Sequence, residues 1–351
     1  MMQLTEDTPF IALRSTWQPV ANFSDVPCGK AMGCTLLGTE LVLARFHGGR
    51  LLAADVACPH KGARLSAGTT CGESLECPYH GWRFDQEGAC QEIPSLVEPN
   101  PEKLALAHLR TYPVQERYGF IWVKLDPSGV HEVPTVPEFE DPKWTYRLGP
   151  PMLFRSGFRR EIENYLDMTH FAFAHSTTLG RAADAKIADM KITLHDDGGF
   201  QMDAPFPALQ SLHEQPGKLQ SAHHRRQRCY LPNYTTIRQT FREGDERILL
   251  HVPSPHTRES CSVFWSLAIS PGFDGPSPEN QIDFAVKVLN EDRQMCELQI
   301  PPEVPISPSR GGWGVLVMPG DTLANTYQKC FRQWLNSRSC AQETKPDVSA
   351  R

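Results

Sequence analysis

The sequence predicts an α+β chain: an N-terminal antiparallel β domain, then a domain in which helices cover a second antiparallel sheet. Three observations carry that expectation. Short apolar runs separated by glycine turns crowd the N-terminal part. Prolines then recur at Pro127, Pro134, Pro137, Pro142, Pro150 and Pro151, which marks a domain connection. Beyond them, segments with helical periodicity flank a series of β-type runs.

Taken in order, Leu41-Val42-Leu43-Ala44-Arg45-Phe46 and Leu51-Leu52-Ala53-Ala54-Asp55-Val56 flank His47-Gly48-Gly49, a hairpin signal. Residues 106–114 and 118–125 form a second expected hairpin, turning through Gln115-Glu116-Arg117. The β domain is bounded at 10–126, and the stretch 127–151 reads as a connecting segment to a domain over 152–336. That second domain opens with a helical segment over 161–175. It continues with β runs at 235–241, 248–252 and 262–269, and closes with helices over 280–298 and 321–336. The polar stretch 337–351 reads as a disordered tail.

At 351 residues the chain is long enough for two domains with cores of their own, and 40% hydrophobic with 22% charged residues is an ordinary globular composition. A net charge of −6 gives no footprint for nucleic acid or an anionic membrane. The cluster Arg225-Arg226 and Arg228, beside His223 and His224, reads as a solvated loop or strand end ahead of an acidic partner or substrate. The segment 1–10 is acidic and lacks the apolar core of a signal peptide, and no stretch approaches the length of a membrane helix, so the expected location is cytoplasmic. The cysteines outside the motifs below read as free thiols in a reducing compartment; Cys71 with Cys90 is the pair nearest to a disulfide candidate.

Chemistry enters with Cys58-Pro59-His60-Lys61-Gly62 and Cys77-Pro78-Tyr79-His80-Gly81-Trp82, sixteen residues apart between His60 and Cys77. Each loop offers one thiolate and one imidazole. A Rieske 2Fe–2S cluster needs that set, with sulfur ligands on one iron and nitrogen ligands on the other. Replacing two thiolates by neutral imidazoles removes negative charge and raises the reduction potential. Pro59 and Pro78 stiffen the loops, and Gly62 and Gly81 let the backbone turn close to the metal. A zinc site is the competing reading, but finger-type sites pair Cys with Cys and His with His in their short spacings.

A second metal site is suggested by Glu163-Asn164-Tyr165-Leu166-Asp167-Met168-Thr169-His170-Phe171-Ala172-Phe173-Ala174-His175. Non-haem iron that activates oxygen is held by two histidines and a carboxylate, with open positions. His170 and His175 are five residues apart, about 140° around a regular helix, so the helix must widen into a π-type turn or change direction there. Glu163, Asp167 and His170 share one helix face, which lets Asp167 accept a hydrogen bond from the outer nitrogen of His170. The competing reading is an amphipathic helix with Leu166, Phe171 and Phe173 in the core and incidental histidines. The carboxylate ligand comes from elsewhere: Asp292 in the late helix is the leading candidate, and Glu291 and Asp283 compete with it.

Taken together, the two motifs resemble the α subunit of a Rieske non-haem iron oxygenase, over nearly the whole chain. The family's pattern Asn-x-x-Asp-x-x-His-x-x-x-x-His is matched by Asn164, Asp167, His170 and His175. Its third ligand, an aspartate on a late helix, maps onto Asp292. Glu116-Arg117-Tyr118-Gly119-Phe120-Ile121-Trp122-Val123 and Arg159-Arg160-Glu161-Ile162-Glu163-Asn164 resemble the smaller monooxygenase-type members: purine-alkaloid N-demethylases, dicamba O-demethylase and saxitoxin-pathway hydroxylases. Lys61 departs from the arginine common there, keeping the charge without the planar fork.

The resemblance implies a Rieske cluster and a mononuclear Fe(II), with electrons from NAD(P)H arriving through a separate reductase or ferredoxin. It implies a head-to-tail homotrimer in which electrons pass from the His80 side of one subunit to Asp167 and His170 of the next. Asp167 and Asn164 then serve the catalytic site. The expected activity uses O2 to hydroxylate or oxidatively demethylate a small cyclic or aromatic molecule. Ring cis-dihydroxylation is the alternative chemistry, and a Rieske electron carrier with an inert second domain the alternative class. Leu231, Asn233, His251 and Trp265 are candidate substrate contacts, each equally open to a role in the core.

Overall fold

The computed structural model describes residues 4–98, 100–129, 131–178, 190–205, 224–242, 244–306 and 318–343. They fall into two compact units, Leu13–Val133 and Met1–Ala12 with Pro134–Arg351. The chain opens with α1 (Thr8–Leu13).

The first unit is built on strands β1 (Gln18–Asn22), β2 (Lys30–Leu36), β3 (Thr39–Arg45), β4 (Leu51–Asp55), β5 (Thr69–Cys71), β6 (Ser74–Glu76), β7 (Arg83–Phe84) and β8 (Cys90–Glu92). After α2 (Pro101–Leu106) come β9 (Thr111–Tyr112), β10 (Val114–Arg117) and β11 (Phe120–Val123). One sheet runs β8-β7-β6-β5-β2-β3-β4-β9 and a smaller one β1-β11-β10. The first expected hairpin is β3 on β4, with Arg45 opposite Leu51. The second differs from expectation. β10 and β11 turn through Tyr118-Gly119, where both residues have positive φ. Residues 111–112 instead pair with β4, and Leu106 ends a helix capped by the Asn100 side chain.

Period-two alternation explains where the cysteines end up. Leu52, Ala54 and Val56 face inward and the same face continues to Cys58; Leu75 faces inward and is followed two residues on by Cys77. Both thiols therefore sit against Val42, Phe46, Leu65 and Phe84 in one apolar core. Phe84 is fully buried there, so Phe84→Ala should cost about 3–5 kcal/mol. A lower urea midpoint for this unit is the expected readout, and an unchanged midpoint would contradict the packing.

The second unit contains α3 (Pro137–Glu140), β12 (Thr145–Leu148), β13 (Met152–Phe154), α4 (Phe158–Leu166) and α5 (Phe171–Ala174). Its strands continue with β14 (Lys191–Leu194), β15 (Phe200–Pro205), β16 (His224–Tyr230), β17 (Tyr234–Arg242), β18 (Asp245–Thr257) and β19 (Ser260–Ile269), followed by α6 (Pro278–Leu298) and α7 (Thr322–Glu343). The sheet is antiparallel, in the order β12-β19-β18-β17-β16-β15-β14, with β13 also on β19. The stretch 127–151 is thus more than a connection, because β12 inside it is an edge strand hydrogen-bonded to β19. Nor does regular structure stop at residue 336, since α7 runs to Glu343; residues 344–351 lie outside the described residues.

The basic cluster is also not a solvated loop. Residues 224–230 form an interior strand between β15 and β17, and the alternation turns Arg225 and Gln227 inward while Arg226 stays exposed. His223 lies outside the described residues.

Two helices matter most for the site. In α4, Phe158, Ile162 and Leu166 recur every four residues and are all buried. In α6, Ser277 caps the N-terminus and Pro278 follows it, as helix starts favour. Its buried face carries Gln281, Leu289, Asp292 and Cys296.

Candidate metal centres

In the first unit the two Cys/His loops share one local geometry. The Cys58 carbonyl accepts from Gly62 N–H at 2.8 Å and the Cys77 carbonyl from Gly81 N–H at 3.0 Å. The N–H of Cys58 donates to Ala63 O at 2.9 Å and that of Cys77 to Trp82 O at 2.8 Å. Gly62 and Gly81 both stand at φ 71°, a left-handed turn that a side chain resists. Each loop thus buries a sulfur and lifts an imidazole to the surface: Cys58 and Cys77 are buried, His60 and His80 exposed.

The donors converge. His60 Nδ1 lies 3.1 Å from His80 Nδ1, and Trp82 stacks on His60 at 4.5 Å and 7°. Burial pushes the Cys58 thiol up to about 11, the His60 and Lys61 N–H groups oppose that shift, and the neighbouring Cys77 thiol adds to it. Desolvation, then His80 and Lys61, push the His60 imidazole down towards the neutral form a metal ligand needs. Paired thiols beside paired imidazole nitrogens fit the ligand demand of a Rieske cluster. Cys71 is exposed, Cys90 is buried, and both are free thiols.

Of the two expected alternatives, a π-type turn or a change of direction, the second unit shows the change of direction. The helix ends: Asp167 leaves α4 in an extended conformation (φ −76°, ψ 131°), and His175 leaves α5 at φ −103°, ψ 27°. The two histidines bracket a single helical turn, with Ala174 N–H donating to His170 O at 2.7 Å. This brings His170 Nε2 and His175 Nε2 to 3.1 Å. Asp292 Oδ1 from α6 stands 3.3 Å from His170 Nε2 and 3.0 Å from His175 Nε2. Metal bonds of about 2.1 Å at right angles space donor atoms about 3.0 Å apart, and tetrahedral bonds about 3.4 Å. The observed spacing lies nearer the facial arrangement of two histidines and one carboxylate, the set that suits non-haem iron.

Electrostatics agree with a cation at that point. Burial would raise the Asp292 carboxyl, but His170 and His175 outweigh it and hold it well below the usual range. Burial would likewise depress His170, yet Asp167 and Asp292 hold it up at about 9.

The surrounding residues orient these donors. Asn164 Nδ2 donates to Asp292 Oδ1 at 2.7 Å. Asp167 Oδ2 lies 3.5 Å from His170 Nδ1, and its Oδ1 accepts from the Thr169 N–H and hydroxyl, both at 2.6 Å. Glu291 takes a role the sequence did not show: its Oε2 meets His175 Nδ1 at 2.8 Å, on the far side of the ring from Asp292, and Thr177 and Thr178 donate to it. Asp283 is exposed, nearer the start of α6. Glu163 turns away to Arg160 and Gln328.

The four substrate candidates lie in the buried interior. Asn233 Nδ2 donates to Pro253 O at 2.7 Å, Trp265 Nε1 to Pro150 O at 3.0 Å, and Leu231 is 5% exposed. His251 stacks on Tyr165 at 3.8 Å and 5°, and its Nε2 is 2.8 Å from Glu161, whose carboxyl burial pushes up and His251 pulls back. Buried positions, in the β16–β17 turn (Leu231, Asn233) as in the strands (His251, Trp265), carry packing and polar satisfaction as readily as substrate contacts, so sequence alone could not separate them.

Comparison with known proteins now bears on this geometry. Residues 16–113 match the Rieske [2Fe-2S] domain family, and residues 154–337 match the vanillate O-demethylase oxygenase C-terminal domain family. The chain is a Rieske non-haem iron oxygenase. It is 31% identical to methylxanthine N3-demethylase NdmB of Pseudomonas putida over 316 residues, 87% of this chain and 86% of that protein. Methylxanthine N1-demethylase NdmA of the same organism is 36% identical over 174 residues, 48% of each chain. The solved structure of NdmA with caffeine superposes with a TM-score of 0.79 at 26% identity, covering 95% of this chain and 94% of that one. Dicamba monooxygenase bound to dicamba, at 22% identity, shares the fold with a TM-score of 0.74, covering 93% of this chain and 99% of that one. A Rieske domain and an oxygenase domain that implies iron are therefore both part of this oxidoreductase. No helix among the described residues is long and apolar enough to cross a membrane.

Groups that hold a ligating histidine from behind are worth about 10–100-fold in metal affinity. Glu291→Gln should weaken Co(II) binding at the His170/His175/Asp292 site of this Rieske oxygenase by that factor, as read from the cobalt absorption spectrum. Wild-type affinity would remove Glu291 from the site.

Proposed function

We propose that this Rieske oxygenase uses O2 and electrons from NAD(P)H, passed through a separate reductase, to hydroxylate or oxidatively demethylate a small cyclic organic molecule. The observation that carries the reading is the convergence of His170 Nε2, His175 Nε2 and Asp292 Oδ1 within 3.3 Å of one another. An electron carrier with an inert second domain has no need for that convergence.

Cys58, His60, Cys77 and His80 would hold the cluster, and His170, His175 and Asp292 the mononuclear iron. When bound, the cluster passes single electrons and the iron activates dioxygen. The chain's own residues do the rest. The exposed edges of His60 and His80 give the cluster a face for exchange with a partner. Asn164 fixes Asp292 Oδ1, and Glu291 accepts a hydrogen bond from His175 Nδ1–H so that Nε2 keeps its lone pair for the metal. Asp167 stands 3.5 Å from His170 Nδ1, on the side of that ring away from the metal position, and in a head-to-tail homotrimer lies on the electron route between subunits. Such an interface is heterologous and closes as a ring. A separate reductase is supported by a 37% match over 110 residues to oxidoreductase NdmD of Pseudomonas putida, which covers 18% of that protein. The named activities of NdmB and NdmA support N-demethylation, which follows when a hydroxylated N-methyl group leaves as formaldehyde.

Anaerobically purified protein should contain about three irons and two sulfides per chain, with a Rieske EPR signal on reduction. His170→Ala should lose the third iron and substrate-dependent O2 uptake while keeping that signal; retained turnover would refute the iron assignment. Asp167→Asn should keep both metals and slow single-turnover electron delivery at least tenfold. Unchanged kinetics would take Asp167 off the route.

A further inference from the structure

Arg225 and Arg247 occupy one row of the large sheet. Arg225 on β16 is directly opposite Gln239 on β17, and Gln239 is directly opposite Arg247 on β18. Cross-strand partners point to one face, so two cations flank one glutamine, about 9–10 Å apart at the backbone. That face meets the helices of the iron site. Arg247 Nη1 donates to Gln281 of α6 at 3.0 Å, while its Nε bonds Gln239 at 2.9 Å. The Arg225 guanidinium lies 5.4 Å from the Phe171 ring, and Phe171 packs edge-on against His170 at 4.8 Å.

Among the described residues no carboxylate lies within ion-pair distance of Arg225 or Arg247, whereas Arg159, Arg226 and Arg238 of the same unit each meet one. Arg225 is 3% exposed; its Nη2 donates to Gln227 at 3.1 Å, and its Nε is buried with no hydrogen-bond partner among the described residues. The Tyr165 hydroxyl, in electrostatic reach of both arginines, is likewise buried with no hydrogen-bond partner among the described residues. Burial pushes each guanidinium down to about 10, Tyr165 opposes that, and Arg225 depresses Arg247 further. A purely structural arrangement would place an acid here, since an unpaired buried cation is costly. Here the polar neighbours of the two cations are neutral amides, Gln227 beside Arg225 and Gln239 with Gln281 beside Arg247, so their charge is left uncompensated among the described residues.

We propose that Arg225, Arg247 and the Tyr165 hydroxyl form the receptor for an anionic oxyacid group, a carboxylate or sulfonate, on the substrate. This rests on the reading of the adjacent His170/His175/Asp292 site as the oxygenase iron. The anionic group anchors one end of the molecule against the sheet, and the carbon to be oxidised lies beyond Phe171, towards the histidines. The substrate class then differs from the uncharged purine caffeine seen with NdmA.

The test is calorimetry on the anaerobic holoenzyme with benzoate and benzenesulfonate against the neutral benzamide and benzenesulfonamide. The anions should bind at least tenfold more tightly than the neutral partners. Arg225→Gln and Arg247→Gln should each erase that preference, and Arg225→Lys should keep part of it. Arg225→Gln should also raise the thermal midpoint of the ligand-free protein, which a purely structural arginine would lower. Equal binding of amide and anion, an unchanged preference in both glutamine variants, or no anion binding below 10 mM would each overturn the receptor. Iron content of the same samples separates the two readings. A missing third iron in the wild type sinks the oxygenase site and leaves the anion preference to be read by itself.

Discussion

A buried carboxylate facing two imidazoles is the constraint on which the second unit depends. Asp292 is 5% exposed, and an isolated charge at that depth costs several kcal/mol. The cost is offset only if α4, α5 and α6 meet so that Asn164, His170 and His175 all reach the same oxygen. Such a requirement fixes α6 against the segment that follows α4 more sharply than apolar packing would. Hydrophobic contacts tolerate sliding, but three polar groups converging on one oxygen do not.

The helix that carries this segment is itself pinned by charge. Arg159, 1% exposed on its side chain, meets Glu303 at 3.3 Å and donates to the Val304 carbonyl. Arg160 donates to the Pro301 carbonyl at 2.9 Å. The next residue, Glu161, meets His251 on β18, and that imidazole lies flat against Tyr165. Consecutive residues of one short helix therefore anchor it to the 301–304 loop and to the sheet. Asp167 can then break the helix without letting the two histidines drift. The anion receptor proposed above uses the same wall, because Gln227 Nε2 holds the Tyr165 carbonyl at 3.1 Å.

Legibility from sequence followed the range of the interactions. Both Cys/His loops, the histidine pair and Asn164 with Asp167 were readable because each is a local motif, and the hairpin at β3 and β4 was readable from alternation and a glycine turn. Errors arose where a distant partner decided the outcome. The proline-rich 127–151 hides β12, whose strand character comes from β19 more than a hundred residues later. The basic cluster at 225–228 looked solvated because charge suggests exposure, yet in a strand between β15 and β17 Arg225 and Arg228 are buried and only Arg226 is exposed. The predicted turn at Gln115-Glu116-Arg117 moved to Tyr118-Gly119 because β11 pairs from Phe120 onward, and a tight turn needs positive φ.

The sequence by itself determined the chemistry: which residue types can ligate metal, how many, and in which loops, since these are covalent facts of residue identity and short spacing. It also narrowed the third donor of the second site to an acid of the late helix. Only the tertiary structure separated Asp292 from Glu291. Adjacent helical residues point about 100° apart, so one faces both Nε2 atoms while the other reaches round to His175 Nδ1. Likewise, only strand register put Arg225, Gln239 and Arg247 in one row, because side-chain neighbours across a sheet are set by pairing and not by distance along the chain.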